Sequence, residues 1–395
     1  MLHKHTKKIF QHLSKIQGGQ LHLTLPNQHQ EIFGNLDNYP NGKAIELTIN
    51  DWKVLKLIIS RGDIGFAESY IQGLWETNNL EGLIRLILIN RKTLENLIYG
   101  SFLGSIFYRI KHFFHKNTRS GSKKNIHAHY DLGNEFYKLW LDPSMMYSSA
   151  LFEGNFSQSL ESAQSAKIQK ILGELKCSPN EKVLEIGCGW GGFMDASLNQ
   201  GLKITGLTLS HEQKKYIETK FSSTTNAEVL FMDYRDSMEQ YDGIASIEMF
   251  EAVGEAYWPD YFDTLYRCLK PGKRAVIQTI VIDDQLFEKY RNETDFIQQY
   301  IFPGGMLPSA NVFKDHAKRA GLQLVNQYAF GEDYAETLRI WSKSFNAQLH
   351  KIHQLGFKDE FIRLWNFYLM YCAAGFAEKN IDVIQFTLEK PHEEI

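Results

Sequence analysis

The stretch that decides the fold is KVLEIGCGWGG, which occupies residues 182–192. Its opening letters, KVLEI, form a short apolar run that predicts a buried strand. Gly187, Gly189, Gly191 and Gly192 follow at once, and residues without a Cβ atom let the backbone pass close to a ligand. The stretch therefore predicts a nucleotide-binding turn, and both a dinucleotide and a sulfonium nucleoside fit that description.

Beyond this turn, predicted strands alternate with predicted helices. Apolar runs at 202–210, 227–233, 242–250 and 274–282 have the length of strands, and segments such as 257–270 between them have helical spacing. Strands that are separated by helices imply a parallel sheet with right-handed crossovers. The predicted fold is therefore α/β, with a ligand crevice beyond the carboxyl ends of the strands.

Residues 1–116 have a different pattern and are predicted to form a smaller α+β domain. AIELTIN (44–50) and WKVLKLII (52–59) alternate apolar and polar residues well enough to predict strands. The stretch NTRSGSKKN, residues 117–125, has the serine, glycine and lysine content of a linker. We therefore place the domain boundary there and assign residues 126–395 to a catalytic domain.

A long apolar stretch with helical spacing, residues 80–116, ends in basic residues that include Arg109, Lys111 and Lys116. One interpretation is a helix that packs on the core and exposes a solvated basic end. The other is contact with a membrane surface, because basic residues beside phenylalanine-rich faces favour anionic lipid headgroups. The sequence leaves both interpretations open.

Composition excludes several function classes. A formal net charge of -3 and an isoelectric point near 6.5 argue against a surface built for nucleic acid, which needs clustered lysine and arginine. The sequence contains no uninterrupted run of about 18 apolar residues, which argues against an ordinary membrane span. We therefore expect a cytoplasmic protein without nucleic-acid partners.

Metal-binding patterns are weak. The cysteines form no CxxC pair and are read as reduced thiols; they are Cys177, Cys188, Cys268 and Cys372. The segment HAHYDLGNEFY places His127, His129 and Asp131 close together, but no further convergent ligand set is apparent in the sequence. No metal site is predicted.

The second predicted strand helps to choose the nucleotide. A dinucleotide site expects an acidic residue about 20 positions after the glycine turn, at the tip of the second strand. That tip reads TGLTLSHEQ, with Thr208, Ser210 and Gln213 in place of a carboxylate. This pattern argues against a dinucleotide.

Acidic and aromatic residues stand at other strand positions instead. Glu185 lies inside the first motif, and Asp233 with Tyr234 closes the third strand. Carboxylates and aromatic faces stabilise a cation, so this pattern favours S-adenosylmethionine, whose sulfur is positively charged. The alternative, that Glu185 only organises a local hydrogen-bond network, stays open.

Several motifs together resemble one family. They are HYDLGNEFYKLWLDPSMMYSSALFE (129–153), VLEIGCGWGG (183–192), SIEMFEAVG (246–254) and YIFPGGMLPS (300–309). The sequence resembles the cyclopropane fatty acid synthases, including the mycolic acid cyclopropane synthases, over most of the chain beyond residue 60. The resemblance implies a class I methyltransferase with a Rossmann-like, mostly parallel sheet that uses S-adenosylmethionine on unsaturated acyl chains.

The resemblance also assigns cofactor-binding positions. Together with Glu185, the expected cofactor-binding residues are Tyr147, Ser148, Gly187, Cys188, Gly189, Thr208, Leu209, Ser210, Gln213, Tyr234, Arg235 and Ile247. Members of the family also hold a bicarbonate ion that is thought to act as the base. We therefore expect S-adenosylmethionine as cofactor and treat bicarbonate as a second candidate.

The bicarbonate positions match the family only in part. Glu251 and Tyr334 match two of the ion's family ligands, whereas two other ligands differ, since Ser149 replaces a cysteine and Gln278 replaces a histidine. A separate departure is Ala252, where the family commonly has a histidine. Serine and glutamine still donate hydrogen bonds, but glutamine cannot take up a proton. The resemblance thus implies a catalytic set of Glu251, Tyr334, Ser149 and Gln278, without a titrating imidazole.

The implied reaction adds a methyl group to the double bond of a phospholipid acyl chain at the inner face of the membrane. Proton loss from that methyl group closes a cyclopropane ring, whereas loss from a neighbouring carbon gives a methyl-branched or methylene product. A catalytically silent lipid-binding protein is an alternative from another class, and homodimerisation stays open. One set of apolar and aromatic residues has two open interpretations, as the lining of an acyl pocket or as plain core. These residues are Phe296, Tyr300, Ile301, Phe302, Met306, Leu307, Trp365, Phe367, Tyr368 and Tyr371.

Overall fold

The computed structural model describes residues 2–36, 43–98 and 132–392. The strands are β1 (Gly19–Thr24), β2 (Gln30–Asn35), β3 (Ile45–Ile49), β4 (Trp75–Thr77), β5 (Lys182–Ile186), β6 (Lys203–Thr208), β7 (Ala227–Phe231), β8 (Tyr241–Ile247), β9 (Leu269–Ile282), β10 (Gln323–Ala329) and β11 (Ile381–Glu389). The helices are α1 (Leu2–Leu13), α2 (Lys53–Ile71), α3 (Leu80–Ile89), α4 (Arg91–Ile98), α5 (Asn134–Tyr137), α6 (Leu160–Leu175), α7 (Gly192–Asn199), α8 (His211–Lys220), α9 (Trp258–Cys268), α10 (Asp284–Arg291), α11 (Phe296–Tyr300), α12 (Ala310–Arg319), α13 (Gly331–Ala347), α14 (Leu349–Gln354) and α15 (Asp359–Ala377).

The chain divides into two compact units that are not continuous in sequence. The first contains the described residues up to 98 together with Asn292–Ile301 and Asn346–Lys379, and the second contains the remainder from residue 132. The segment 126–395, predicted as one catalytic domain, is therefore shared between the two units. The predicted linker at 117–125 and the basic end of the 80–116 stretch lie outside the described residues.

The first unit joins a small sheet to helices. Its strands run in the order β2-β1-β3-β4, with β1 parallel to β3 and the other neighbours antiparallel. Within this unit the ring of Phe367 on α15 packs edge-on against Phe66 on α2 and Phe296 on α11, with centroid distances of 6.3 and 4.8 Å. Such aromatic contacts explain why late segments of the chain belong to this unit.

One predicted strand of the first unit is wrong. The strand AIELTIN is confirmed as β3, but WKVLKLII forms the first part of α2. The Asp51 carboxylate accepts a hydrogen bond of 2.7 Å from the Lys53 N–H, which satisfies a donor at the helix start. The apolar residues of so short a run fit a helical period as well as an alternating one, so the pattern alone could not decide.

The second unit contains the predicted sheet, and the α/β fold class is confirmed. Its strand order is β10-β11-β9-β8-β5-β6-β7, in which β9, β8, β5, β6 and β7 are parallel and β11 is antiparallel to both of its neighbours. Every residue of β8 is buried, as expected for the middle of a parallel sheet covered on both faces. The parallel strands thus end at one common edge, where a ligand crevice is expected.

Helix α6 matters most for the site because it packs on the sheet and carries buried polar residues toward that edge. Ile168, Ile171 and Leu172 belong to the same apolar cluster as Val183 of β5. Lys167 on this helix is nevertheless fully buried.

Among the described residues, no helix combines the length and the apolarity that crossing a bilayer would require.

Candidate active site

The glycine turn connects β5 to α7, and two of its glycines, Gly187 and Gly189, have positive φ angles but different surroundings. Gly187 has a φ of 83°, and a Cβ atom there would lie 2.7 Å from Met249 Cγ, so no larger residue fits. Gly189 has a φ of 52°, and a Cβ atom at this position would meet nothing within 4 Å. The turn is therefore closed on the side of Met249 and open above Gly189, where a ligand can approach the backbone.

Glu185 stands just before this turn and is almost completely buried. Its Oε2 atom makes no hydrogen bond within the described part of the chain. Burial raises the pKa of Glu185 to about 8, and the ammonium of Lys167 lowers it only in part. An unsatisfied buried carboxylate oxygen costs free energy, so this atom points to a ligand that donates a hydrogen bond or carries positive charge.

Lys167 is the buried partner of this acidic region, and the sequence analysis missed it. Its Nζ atom donates to the Oγ of Ser148 at 2.6 Å, and burial lowers its pKa to about 8 against the opposing attraction of Glu248. Gln164, one turn earlier on α6, donates to the Ser148 carbonyl at 2.9 Å. Two residues of α6 therefore hold Ser148, one through its backbone carbonyl and the other through its side chain.

The end of β6 forms a closed polar network. Thr208 Oγ1 donates to Gln213 Oε1 at 2.8 Å and accepts from the Ser210 N–H at 3.1 Å. Ser210 caps α8, since its Oγ accepts from the Gln213 N–H. Gln213 uses its carbonyl oxygen in this network, so its Nε2 group is the one presented to a ligand. Leu209 lies between Thr208 and Ser210 and is partly buried.

The end of β7 is organised by an ion pair. The Asp233 carboxylate binds the Arg235 guanidinium through two hydrogen bonds of 2.8 and 2.6 Å. Asp233 was a candidate cofactor acid, and in the structure it holds Arg235 and caps the short turn 234–236. The Tyr234 ring meets Tyr261 edge to face at 5.5 Å, which leaves the ring fixed rather than freely rotating.

The remaining cofactor candidates are apolar or aromatic. Tyr147 sits in an aromatic cluster, with its centroid 5.5 Å from Trp140 and 5.4 Å from Trp341. Cys188 is buried, which raises its thiol pKa well above the usual value, and its N–H donates to the Leu207 carbonyl at 3.0 Å. Ile247 is the buried last residue of β8. These residues shape the site without adding charge.

Glu248, which the sequence analysis missed, is hydrogen-bonded to three of the four residues expected to act in catalysis. The Glu248 carboxylate accepts hydrogen bonds from the Ser149 N–H at 2.8 Å, from Gln278 Nε2 at 2.7 Å and from the Tyr334 hydroxyl at 2.5 Å. The Ser149 hydroxyl turns away and donates to the Ala150 carbonyl. A signal was present in the sequence, because Glu248 lies near the carboxyl end of the predicted strand 242–250.

Glu251, the fourth of these residues, is held separately. Its Oε1 atom accepts from the Ile280 N–H at 2.5 Å and from Thr279 Oγ1 at 3.1 Å, both on β9 beside Gln278. Its Oε2 atom is buried and has no hydrogen-bond partner in the described ranges. Burial, reinforced by the charge of Glu248, raises the Glu251 pKa to about 8.

The buried ionisable groups at this edge are coupled to one another. The buried ammonium of Lys167 couples electrostatically to Glu248, Asp142 and Glu185, and Glu248 couples in turn to Glu251. Two of the carboxylates have an oxygen without a partner among the described residues. Because burial raises the pKa of both Glu185 and Glu251 to about 8, these groups are largely protonated near neutral pH without a ligand, and a bound cation would favour their ionised forms. The residues therefore fit S-adenosylmethionine.

The residues proposed to line an acyl pocket are divided between the two units. Within the first unit, Phe367 contacts Phe296 and stacks with Tyr371, so these rings form core. Those in the first unit are Phe296, Tyr300, Ile301, Trp365, Phe367, Tyr368 and Tyr371. Those in the second unit are Phe302, Met306 and Leu307. Their role as a pocket lining stays a prediction.

Metal binding gains no support from the geometry. Across residues 2–36, 43–98 and 132–392, no group of histidine, cysteine, aspartate and glutamate side chains is arranged to hold a metal ion. His127, His129 and Asp131 lie outside these ranges.

The fold and the edge of the sheet define the class: this is a class I S-adenosylmethionine-dependent methyltransferase. The family model of mycolic acid cyclopropane synthetase matches residues 116–386, and the chain belongs to that family. The tuberculostearic acid methyltransferase UfaA1 of Mycobacterium tuberculosis is 35% identical over 339 residues, which cover 83% of this chain and 79% of that protein. The cyclopropane-fatty-acyl-phospholipid synthase of Escherichia coli is 31% identical over 352 residues, 89% of each chain.

Solved structures agree with this assignment. The crystal structure of mycolic acid cyclopropane synthase CmaA1 complexed with SAH and CTAB matches with a TM-score of 0.64 and 32% identity. The match covers 68% of this chain and 98% of that chain. The protein is therefore an S-adenosylmethionine-dependent enzyme of the kind that modifies lipid acyl chains.

Proposed function

We propose that this enzyme adds a methylene bridge to the double bond of an unsaturated fatty acyl chain in a phospholipid and so forms a cyclopropane fatty acid. The observation that carries the proposal is the cluster of buried carboxyl groups at the carboxyl edge of the sheet, where Lys167 couples to Glu185 and Glu248, and Glu248 couples to Glu251. Such a site favours a cation both in the cofactor and in the reacting acyl chain.

The cofactor is held by the residues at the strand ends. When bound, S-adenosylmethionine supplies an electrophilic methyl group on a positively charged sulfur. The backbone at Gly189, the Gln213 amide and the Tyr234 ring are the groups that would hold the nucleoside part of the cofactor. Glu185 attracts the positive end of the cofactor through its unsatisfied oxygen.

The acyl chain becomes cationic once it carries the new methyl group, and the protein must stabilise that charge and exclude water. Glu251 supports this role, because its carboxylate is fixed by Thr279 and by the Ile280 N–H while its Oε2 atom stays unpaired within the described residues. A fixed negative charge in a dry site stabilises a developing cation far more than it would in water. Removal of a proton then ends the reaction.

A second product is supported by one specific observation. The relative that is 35% identical is named a tuberculostearic acid methyltransferase, so a methyl-branched or methylene acyl product is the alternative. A methyl-branched alkene forms when a chain carbon loses the proton, whereas a methylene product forms when a hydride first shifts to the cationic carbon and the new methyl group then loses the proton. The position of the base relative to the acyl chain therefore decides between them.

The test is incubation with vesicles of unsaturated phospholipid and S-adenosylmethionine that carries a deuterated methyl group, followed by mass spectrometry of the acyl chains. A ring forms with loss of one methyl deuterium and resists hydrogenation under mild conditions. A methyl-branched alkene formed by loss from a neighbouring carbon retains the whole methyl label and takes up hydrogen. A methylene product loses one methyl deuterium, as the ring does, but takes up hydrogen. Absence of any label in the lipid contradicts both proposals.

A phospholipid substrate also requires access to a membrane. We propose peripheral association with the cytoplasmic face, supported by the basic and phenylalanine-rich end of the 80–116 stretch, whose residues lie outside the described ranges. Sedimentation with vesicles tests this: binding should rise with the anionic lipid fraction and fall with salt. Equal binding to neutral vesicles would contradict the electrostatic part of the proposal. Light scattering of the same samples tests for a homodimer.

A further inference from the structure

Glu248 has a backbone conformation that residues with side chains rarely adopt. It directly follows β8, and its φ of 52° lies in the left-handed region. The Glu248 N–H donates to the Gln278 carbonyl at 2.8 Å, so the sheet fixes this backbone in place. A strained conformation that the surroundings enforce is a reason to look for a function in the side chain.

The Glu248 side chain is held by donors from three separate parts of the second unit. Its Oε1 atom accepts from the Ser149 N–H and from Gln278 Nε2, and its Oε2 atom accepts from the Tyr334 hydroxyl. A carboxylate offers about four lone-pair positions, so one on Oε2 stays available after these three bonds. The arrangement fixes the group and leaves it one site for a proton.

The orientation of Gln278 is itself determined by its neighbour. Gln385, its register partner on β11, donates from Nε2 to Gln278 Oε1 at 3.0 Å. The Gln278 amide therefore has to present its NH₂ group to Glu248, as a carboxylate can only accept. A neutral donor at this place binds an anion without competing for its proton.

These three donor positions are the ones that the family resemblance assigns to bicarbonate, and a free bicarbonate ion does not fit them here. The bonds that would hold the ion are already made to Glu248. A second anion would also face the charges of both Glu248 and Glu251, which lie close enough to raise the Glu251 pKa. Ser149, Gln278 and Tyr334 thus form a cradle that the chain fills with its own carboxylate.

We propose that Glu248 replaces the bicarbonate ion as a built-in carboxylate and acts as the base of the reaction. This inference rests on the proposed function. Oε2 of Glu248 takes a proton from the methyl group newly joined to the cationic acyl chain, and the electron pair of that C–H bond forms the last C–C bond of the ring. The carboxylic acid then releases its proton to solvent, which restores the carboxylate.

Burial strengthens this base. Desolvation raises the pKa of Glu248, and the opposing contributions come from Tyr334, Lys167, Ser149 and Gln278. A carboxylate with a raised pKa accepts a proton more readily than one in water. The hydrogen bonds from Tyr334, Ser149 and Gln278 oppose this shift and hold the carboxyl group in one orientation.

The test uses Glu248→Gly, a substitution that suits the left-handed backbone and leaves the cradle in place. The full-length enzyme is assayed on vesicles of unsaturated phospholipid in buffer depleted of carbon dioxide, with and without added bicarbonate. We expect native product formation to be independent of bicarbonate. Glu248→Gly should be slower by about 10²–10⁴-fold without the ion and regain activity when bicarbonate or formate is added.

A binding measurement that does not depend on turnover accompanies the assay. Line broadening of ¹³C-labelled bicarbonate in NMR should appear with Glu248→Gly and be absent with the native chain. Glu248→Gln is the matched control, because its amide fills the cradle without charge: it should be slow and resist rescue. Near-ultraviolet circular dichroism verifies that both variants keep their tertiary packing.

Two results overturn the inference. One is a native enzyme that binds bicarbonate or needs it for turnover, and the other is a Glu248→Gly variant that matches the native rate without the ion. A native enzyme that modifies no unsaturated lipid refutes the proposed function instead. In that case the NMR comparison of the native chain with Glu248→Gly still decides whether Glu248 occupies the anion cradle.

Discussion

Each of the two units contains a pair of carboxylates with raised pKa values, and the two pairs are held in different ways. In the first unit, burial raises the pKa of Asp63 to about 8 and that of Asp295 to about 6. In the second unit, burial raises the pKa of Glu248 and brings that of Glu251 to about 8. A perturbed pKa is therefore common to both places and cannot by itself mark an active site.

The partners separate the two pairs. Asp63 accepts from the Ile64 N–H just after the break of α2 at Gly62, and Asp295 caps α11 in a reciprocal capping box with Gln298. These aspartates satisfy the backbone of helix starts. The glutamates of the second unit are bound mainly from other elements and retain acceptor positions. The difference teaches that the identity of the donors, more than the size of the shift, distinguishes structural from reactive carboxylates.

Among substitutions at residues other than Glu248, the largest effect should follow from Glu251→Gln. The substitution keeps the shape but removes the charge that faces the cationic acyl chain, so product formation should fall about 10²–10³-fold. Turnover on unsaturated phospholipid measures this, with thermal unfolding as a check on the fold. Glu332→Gln, at an exposed position, is the matched control and should keep the native rate. A native rate for Glu251→Gln would show that Glu251 takes no more part in the reaction than the aspartates of the first unit.

Asp63→Asn should change the pH dependence of stability without affecting catalysis. The folded pKa of about 8 lies above the unfolded value of 3.8, so the stabilising contribution is complete below the unfolded pKa and is lost as pH rises through 8. Asparagine does not ionise, so the variant should not lose this stability as the pH rises. Urea unfolding at acidic and at mildly alkaline pH should show the native chain losing on the order of 2 kcal/mol more than the variant.

Two neighbouring carboxylates limit that expectation. Asp295 and Glu293 both raise the Asp63 pKa, so Asp295→Asn alone should produce part of the same change. A native unfolding free energy that depends on pH no more than that of Asp63→Asn would show that Asp63 is not buried against these charges.

Tyr334→Phe should have the next effect. It removes one of three donors to Glu248 and leaves the ring packed edge-on against Trp341. Because the base loses part of its orientation, kcat should fall about 10-fold with KM little changed. Tyr328→Phe, which removes a hydroxyl from a ring on β10, should behave as the native enzyme. A change in KM alone for Tyr334→Phe would place Tyr334 in substrate binding instead.

Asp295→Ala tests the structural role of the aspartate pair in the first unit. Loss of the cap of α11 should lower the free energy of unfolding by about 1 kcal/mol while the activity per folded molecule stays native. Asp295→Asn retains a capping oxygen and should lose less stability. An activity loss larger than the folded fraction explains would contradict the structural role of Asp295.

Much of the second unit could be predicted from the sequence because its signals are local. The run KVLEI, the glycines after it and the strand tips that carry Thr208 and Tyr234 all depend on residues adjacent in the chain. Periodicity and turn chemistry report on such neighbours. The fold class and the cofactor could therefore be predicted from the sequence.

The parts that the sequence did not predict depend on contacts between distant residues. Lys167 belongs to a helix in which a lysine suggests a solvated face, yet it is buried beside Ser148. The role of Glu248 depends on Tyr334, which lies 86 positions away in the chain. The helix made by WKVLKLII illustrates the same limit, because a short apolar run fits two periods.

The smallest effect should follow from Ser149→Ala, although the family resemblance places Ser149 among the catalytic residues. Only the Ser149 N–H contacts Glu248, while its hydroxyl donates to the Ala150 carbonyl. The rate should therefore stay within about threefold of native, which corresponds to less than 1 kcal/mol. Ser149→Cys should be equally mild. A loss of about 10²-fold would show that the hydroxyl takes part in the reaction.

The central claim is that the enzyme carries its own base in the anion cradle. The most direct measurement is the initial rate of lipid modification by the native chain in buffer depleted of carbon dioxide, before and after bicarbonate is added. The account predicts equal rates, because Glu248 already fills the cradle. A rate that is negligible without bicarbonate and rises with its concentration would contradict it.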